Sequence, residues 1–178
     1  MFEGKLVRLR EYRSEDIPLK LSYINDPEIL KYLEPGIPYP VTLSEERKWL
    51  DSISAFRDTY RFAIEAVSDS NYIGDCGVNS IDWKNSVASV SIFIGSGAYR
   101  GKGYGTEAMK LLISFVFNQI NVNKVRLNVY SFNERAIRSY EKCGFRIEGV
   151  LRQEIFREGE YHDVIAMGML RDEYKLIL

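Results

Sequence analysis

Residues 92–108, IFIGSGAYRGKGYGTEA, decide how the chain folds. A run of β-branched and aromatic residues leads into a loop with alternating glycines, and a helical apolar pattern follows the loop. Glycines at such positions let successive backbone amides turn toward one concavity, and the N-terminus of a following helix adds partial positive charge. Arg100 and Lys102 contribute fixed positive charge. The stretch therefore predicts a strand–loop–helix unit that binds an anion, and its charges favour a pyrophosphate.

The spacing of the glycines excludes two common phosphate-binding motifs. Gly101, Gly103 and Gly105 follow the pattern Gly-x-Gly-x-Gly, whereas dinucleotide-binding folds use Gly-x-Gly-x-x-Gly. The Gly-Lys pair is followed by glycine and not by the Ser or Thr of a P-loop. A flexible strand-to-helix connection without a ligand is the alternative interpretation, and the flanking basic residues favour the binding loop.

Upstream of this stretch, the sequence predicts a strand at residues 5–10 and then three short helices. Each helix start carries a capping signal, at Ser14, at Asp26–Pro27 and at the Thr42–Glu45 capping box. Residues 34–40, EPGIPYP, contain three prolines and predict a loop. Turn residues separate three further segments, which predict an antiparallel meander at 61–67, 72–79 and 86–95.

Downstream of the glycine loop, the spacing of apolar residues predicts a helix, a strand, a second helix and two final strands. Ala108, Leu111, Leu112 and Phe115 have helical spacing, and residues 124–130 alternate as a strand does. The next helix should end at Gly144, a residue suited to the left-handed position after a helix. The last strands are predicted at 145–149 and 163–170, with a hairpin turn at 157–160.

Composition limits the function classes. The 178 residues suit one domain, 1–178, and 24 Lys+Arg against 25 Asp+Glu give a net charge of -1. No global basic field draws the chain to nucleic acid or to an anionic membrane. Two cysteines and one histidine are too few for a Cys/His zinc site or a disulfide framework, so we expect no metal. The charged N-terminus and the absence of a long apolar run predict a cytoplasmic protein.

Two segments resemble one protein family. Residues 100–105, RGKGYG, are similar to the Gln/Arg-x-x-Gly-x-Gly/Ala pyrophosphate motif of the GNAT superfamily of N-acetyltransferases. Residues 133–145, NERAIRSYEKCGF, resemble a downstream segment of the same family. The order of elements agrees with this family from Leu6 to about Leu170. The resemblance implies an α+β fold, similar to an α/β sandwich, with a mixed and mostly antiparallel sheet flanked by helices on both faces.

The resemblance also implies a donor site for acetyl-CoA. The pyrophosphate would be bound by the loop residues Arg100, Gly101, Lys102, Gly103, Tyr104, Gly105 and Thr106. The pantetheine arm would pair with the edge of the strand at Phe93, Ile94 and Gly95, which splays from residues 127–130, and would contact Asn133. Asn133 has an alternative role as a helix cap. Amides near Ile94 would polarise the thioester carbonyl.

Two residues are expected to act in catalysis. Tyr140 matches the general acid of the family, which protonates the departing CoA sulfur, although it could instead be a core residue. Glu34, in the proline-rich loop, matches an acceptor-side carboxylate of the polyamine branch. The sequence offers further carboxylates as the base that deprotonates the amine, namely Glu65, Asp75 and Glu154.

The acceptor is an amine whose identity the sequence leaves open. Four segments resemble the branch of ribosomal-protein N-terminal and spermidine acetyltransferases: 25–28, 34–35, 144–152 and 159–163. We expect a protein N-terminal amine first, with a polyamine as the alternative and an aminoglycoside or other small amine third. A non-catalytic acyl-CoA-binding module is a different class of function. The oligomeric state also stays open, although the C-terminal hairpin offers a strand edge for a homodimer.

Overall fold

A seven-stranded sheet organises the protein, seen here in a computed structural model that describes residues 2–33, 36–53 and 58–175. The strands are β1 (Val7–Arg10), β2 (Tyr60–Ala66), β3 (Tyr72–Asp82), β4 (Val87–Ile94), β5 (Lys124–Tyr130), β6 (Arg146–Arg157) and β7 (Glu160–Leu170). Their order in the sheet is β1-β2-β3-β4-β5-β7-β6. Among these pairs only β4 and β5 run parallel. The predicted α+β fold with a mostly antiparallel sheet is confirmed.

Helices connect the strands, and all but the last of them stand where the sequence predicts a helix. They are α1 (Asp16–Ile24), α2 (Pro27–Leu33), α3 (Leu43–Ile53), α4 (Tyr104–Phe115), α5 (Glu134–Lys142) and α6 (Arg171–Lys175). The last turn of α4 continues as a π-helix, Val116–Ile120. Adjacent residues of β3 point to opposite faces of the sheet. Asp75 forms an ion pair with Lys20 of α1 on one face, and Cys76 belongs to the apolar core that includes α4 on the other.

The apolar core lies mainly between α4 and the sheet. Its largest fully buried side chains include Phe117, Met109 and Met167. Cys76 and Cys143 belong to the same core, are each 1% exposed and form no disulfide. Burial raises the pKa of both thiols, that of Cys143 to about 12. Cys143 is therefore a small buried side chain of the core.

Strands β4 and β5 separate shortly after they begin to pair. Their backbone partners are Val87 with Lys124, Ala88 with Val125 and Ser89 with Arg126. Beyond Ser89, β4 continues along β3 as far as the Ile94–Gly74 pair. Strand β5 pairs with β7 over its whole length. The edge of β4 that faces β5 is therefore free after Ser89, and a wedge opens between the two strands.

Local signals locate most element starts correctly. The Thr42–Glu45 capping box forms, since the Thr42 amide donates to Glu45 at 2.7 Å and the Glu45 amide donates to the Thr42 hydroxyl at 3.3 Å. Helix α2 spans the predicted Pro27–Leu33. The first helix begins at Asp16 with Glu15 as its N-cap, so the Ser14 cap is wrong. Gly144, with φ of 97°, ends α5 as predicted.

The C-terminal hairpin differs from the prediction in length. Strand β6 extends to Arg157, well beyond the predicted end at residue 149. Two register shifts, at Ile147/Gly149 and Leu151/Ile155, interrupt the alternation by which a strand is recognised in a sequence, so its second half escapes prediction. The predicted turn is present, with positive φ at Glu158 and Gly159. Helix α6 follows β7 directly and was not predicted.

Candidate active site

A cleft of about 1470 Å³ follows the wedge between β4 and β5. Nine of the residues predicted for acetyl-CoA binding or as the general acid line it: Phe93, Ile94, Arg100, Gly101, Gly103, Gly105, Thr106, Asn133 and Tyr140. Gly95, Lys102 and Tyr104 do not line it. Glu34 lies outside the described residues. Positions far apart in sequence thus meet along one continuous groove.

The glycine loop has the backbone that an anion site requires. Gly101 and Gly103 have φ of 76° and 92°, a region that residues with a Cβ rarely adopt. Gly103 is the N-cap of α4 and supplies no side-chain cap, so the first amides of this helix lack that partner. The buried Nε of Arg100 has no hydrogen-bond partner among the described residues. Free amides and an unpaired guanidinium nitrogen fit a pyrophosphate.

Two aromatic residues anchor the base of this loop. The Tyr99 hydroxyl donates to Asp69 at 2.5 Å and accepts a hydrogen bond from the Asn71 side chain at 3.2 Å. Its ring packs edge-on against Tyr104, with centroids 5.1 Å apart. Tyr104 therefore supports the loop from outside the cleft, and the Lys102 side chain is exposed to solvent.

The free edge of β4 borders the loop. Gly95 is buried, and its amide donates to Ile73 at 2.8 Å, which ties the end of β4 to β3. A Cβ at Gly95 would collide with the ring of Tyr23 from α1. The role of Gly95 in this arrangement is close packing, while Phe93 and Ile94 present the unpaired edge to the cleft.

Helix α5 forms the opposite wall and carries two predicted residues. Asn133 is its N-cap and accepts a hydrogen bond from the Ala136 amide at 3.3 Å, so the capping interpretation of Asn133 holds. Tyr140 is 8% exposed, and its hydroxyl forms no hydrogen bond within the described part of the chain. Burial raises the pKa of Tyr140. At neutral pH this phenol keeps its proton and has a free donor.

The carboxylates considered as bases differ in their surroundings. Glu65 is buried in ion pairs with Arg8, Arg10 and Arg13 and does not line the cleft. Asp75 lines the cleft, and burial raises its pKa against the opposing influence of Lys20 and Tyr72. Glu154 on β6 also lines the cleft and is exposed. Position thus favours Asp75 and Glu154 over Glu65.

Comparison with known proteins assigns the family. A model described as an acetyltransferase (GNAT) domain matches residues 7–146. The chain belongs to the GNAT acetyltransferase family. It is 35% identical over 173 residues to the SPbeta prophage-derived uncharacterized N-acetyltransferase YokL of Bacillus subtilis (strain 168), a match that covers 97% of this chain and 94% of that protein. The predicted family and enzyme class, an acetyl-CoA-dependent acyltransferase, are confirmed.

Two further GNAT relatives have names that state an acceptor. The chain is 31% identical over 169 residues to spermidine N(1)-acetyltransferase of Escherichia coli (strain K12), covering 94% of this chain and 88% of that one. A crystal structure of spermidine N-acetyltransferase from Vibrio cholerae in complex with CoA and spermine has a TM-score of 0.87 at 27% identity, covering 97% of this chain and 99% of that one. Both names state a polyamine acceptor for those relatives, and neither states a protein N-terminal amine.

The charges of the GNAT cleft are separated by sign. The end formed by the loop and α5 is lined by four cations and, among the described residues, by no carboxylate: Arg100, Arg135, Arg138 and Lys142. The other end, formed by α1 to α3, β3 and β6, is lined by five acidic residues: Glu28, Glu45, Glu46, Asp75 and Glu154. Lys20 and Arg61 are the cations at this acidic end.

Sequence reasoning missed several residues at the acidic end. Lys20 and Trp49 lie there, and Arg61 donates to the Ser91 hydroxyl at 3.3 Å. The sequence does carry a signal for Lys20. Lys20 follows Ile17 by three residues and Ile24 follows it by seven, so all three share one face of a helix. A charge on such a face indicates a buried partner, but the sequence does not say which one.

The described residues contain no group of three or more His, Cys, Asp or Glu side chains placed to hold a metal ion. Among the same residues, no helix has the length and apolar content needed to cross a membrane.

Proposed function

We propose that this GNAT enzyme transfers the acetyl group of acetyl-CoA to a primary amine of a polyamine such as spermidine. The separation of charge along the cleft carries the proposal. CoA is polyanionic and suits the end lined by Arg100 and Lys142, whereas a polyamine carries several cations and suits the acidic end. The relatives named for spermidine acetylation support the same acceptor class.

In this proposal the donor lies along the wedge. The pyrophosphate binds at Arg100 to Thr106, where free amides and the Arg100 guanidinium meet. The pantetheine arm, which carries amides, pairs with the free edge of β4 at Phe93 and Ile94 and passes Asn133. The thioester then lies between β4 and Tyr140, because Phe93, Ile94 and Tyr140 all line the cleft.

The reaction needs no covalent enzyme intermediate. The lone pair of the neutral amine attacks the thioester carbonyl carbon, the C–N bond forms, and the C–S bond breaks as the tetrahedral intermediate collapses. Backbone amides at the end of β4 stabilise the oxyanion. Tyr140 gives its proton to the departing sulfur, whose thiol pKa is about 8.5 in the ordinary case.

The proton lost by the amine passes to a carboxylate or to water. Asp75 and Glu154 are the base candidates that line the cleft, and the proposed role of Glu34 rests on the sequence alone. Asp75 is already bonded to Lys20 and Tyr72, whereas Glu154 is exposed, so Glu154 has fewer interactions to give up.

A thiol-release assay with a panel of acceptors tests the proposal. We expect saturable CoA release with spermidine, and little with N-terminal peptides or aminoglycosides. The double variant Glu28→Gln/Glu154→Gln should raise the KM for spermidine about tenfold, because the acceptor loses two opposite charges. Glu160→Gln, an exposed carboxylate outside the cleft, is the matched control. Transfer to peptides with none to spermidine would contradict the proposal, and no transfer to any amine would favour a non-catalytic module.

A further inference from the structure

The acidic end of the cleft holds an ammonium group that belongs to the protein. The side chain of Lys20 is 7% exposed, and its Nζ lies 2.7 Å from Glu46 Oε1 and 3.2 Å from Asp75 Oδ2. The same Nζ lies 2.9 Å from the ring centroid of Trp49 and 5.2 Å from that of Tyr12. Two carboxylates and two aromatic rings surround one primary ammonium. We call Tyr12, Glu46, Trp49 and Asp75 the ammonium box.

The walls of the ammonium box support one another. Tyr12 and Trp49 pack edge to face, with centroids 5.4 Å apart. Asp75 accepts a hydrogen bond from the Tyr72 hydroxyl at 2.6 Å, which orients its carboxylate independently of Lys20. Aromatic faces and carboxylates are the groups that recognise ammonium ions. The box therefore contains the kinds of group that bind an ammonium ion.

The ammonium box opens onto the acceptor cleft. All four of its residues line the cleft, as does Lys20 itself. The part of Lys20 beyond its Cβ is a propyl chain ending in an ammonium, which is the chemistry of the aminopropyl arm of spermidine. The protein thus fills the box with a tethered copy of the group that a polyamine would bring.

We propose that Lys20 is a specificity-determining residue that occupies a binding site for a primary ammonium and keeps the charged end of the acceptor out of it. The acceptor class rests on the proposed function. With Lys20 in place, the second ammonium of a polyamine is left to Glu28 and Glu154, which line the cleft outside the box. Without Lys20, the box would accept that ammonium and draw long acceptors deeper into the cleft.

The test is to empty the box and offer it the missing fragment. In Lys20→Ala, n-propylammonium chloride should raise the thermal midpoint saturably, by at least about 3 °C at roughly 50 mM, compared with sodium chloride at equal ionic strength. Wild-type protein should not respond, because its box is full. The KM for spermidine should fall at least about fivefold in Lys20→Ala, because the emptied box takes its second ammonium.

Matched variants localise the effect. Lys20→Met fills the same space without a charge and should not respond to propylammonium. Adding Trp49→Leu to Lys20→Ala should abolish the response, whereas adding Trp83→Leu, a tryptophan that is 55% exposed outside the cleft, should keep it.

Each outcome decides the proposal. A folded Lys20→Ala protein that ignores propylammonium overturns it. If Lys20→Ala is unfolded alone, recovery of the fold with propylammonium supports the proposal, and failure to recover overturns it. A thermal response without any acetylation of spermidine keeps the ammonium box and rejects the polyamine acceptor, so the two proposals fail separately.

Discussion

Glu107 Oε2 lies 2.7 Å from the amide nitrogen of Leu6, more than one hundred residues earlier in the chain. The same carboxylate also accepts hydrogen bonds from the amides of Lys5 at 3.1 Å and Val7 at 2.9 Å. Glu107 belongs to the first turn of α4, immediately after the glycine loop. The start of β1 is thereby tied to the helix whose N-terminus is proposed to face the pyrophosphate, and the acidic group there is satisfied by backbone amides.

Removing this carboxylate should loosen the loop's supporting helix. Glu107→Ala leaves three amides without their acceptor and should lower the free energy of unfolding by about 2 kcal/mol, since hydrogen bonds to a charged group contribute about 1.5–3 kcal/mol and water replaces part of the loss. Urea unfolding followed by circular dichroism measures the change. Glu141→Ala, an exposed glutamate on α5, is the control and should stay within about 0.5 kcal/mol of wild type. Equal stability of the two variants would show that the contact contributes nothing.

The glycine loop provides a test of donor binding. Gly103→Val puts a β-branched residue where φ is 92° and should weaken acetyl-CoA binding at least about tenfold by calorimetry, about 1.4 kcal/mol. Gly159→Val introduces the same residue at φ of 89° in the β6–β7 turn, away from the cleft, and should leave the affinity unchanged. Similar losses in both variants would trace the effect to general strain.

Tyr140→Phe tests the proposed acid. Turnover should fall about 10²-fold or more while acetyl-CoA affinity stays within about twofold, because the lost hydrogen bond forms chiefly as the sulfur departs. Since burial raises the pKa of Tyr140, the wild-type rate should show no loss of this acid up to about pH 9. Tyr174→Phe removes the hydroxyl of another buried tyrosine outside the cleft and should keep full activity. An active Tyr140→Phe enzyme would make Tyr140 a core residue.

The buried ion pair of Arg10 and Asp16 predicts that the free energy of unfolding falls at acid pH. The Arg10 guanidinium donates to both carboxylate oxygens of Asp16, at 2.7 and 2.8 Å. Burial opposes ionisation of Asp16, but Arg10 and the Arg13 amide outweigh it and hold the pKa of Asp16 below its ordinary 3.8. The pair therefore stabilises the fold above the unfolded pKa, and this contribution is lost as pH falls through the lower folded pKa.

Asp16→Asn should remove this part of the pH dependence of stability. The variant should be less stable by about 3 kcal/mol near pH 7, because Arg10 loses a charged partner, and the difference should shrink as pH approaches about 3. Urea unfolding across this range measures it. Asp51→Asn, an exposed aspartate on α3, should track wild type throughout. A difference that is constant with pH would mean that Asp16 acts without its charge.

The predictable parts of this protein are those set by neighbours in sequence. The loop at residues 95–103, the cap at Thr42 and the end of α5 at Gly144 each depend on a few adjacent residues, and the structure has them where the sequence predicts. The length of β6 depends instead on bulges whose cause is the pairing with β7.

The surroundings of Lys20 at the acidic end of the cleft could not be predicted, for a related reason. Lys20 is visible as a charge on an apolar helix face, but its partners Glu46 and Asp75 come from α3 and β3. Periodicity assigns each residue a face and gives no distance between faces. The family resemblance predicts the donor loop and gives no expectation for the buried Lys20.

The burial of both cysteines lets one thiol reagent measure two different properties of the protein. Cys76 and Cys143 are inaccessible and hold their protons, so a thiol reagent has no ready target on the native fold and the colour produced during turnover comes from free CoA. Modification of these cysteines requires the core to open, which exposes the sulfur atoms to the reagent. The rate of slow labelling without substrate therefore measures how often the native structure opens, on the same sample and with the same reagent.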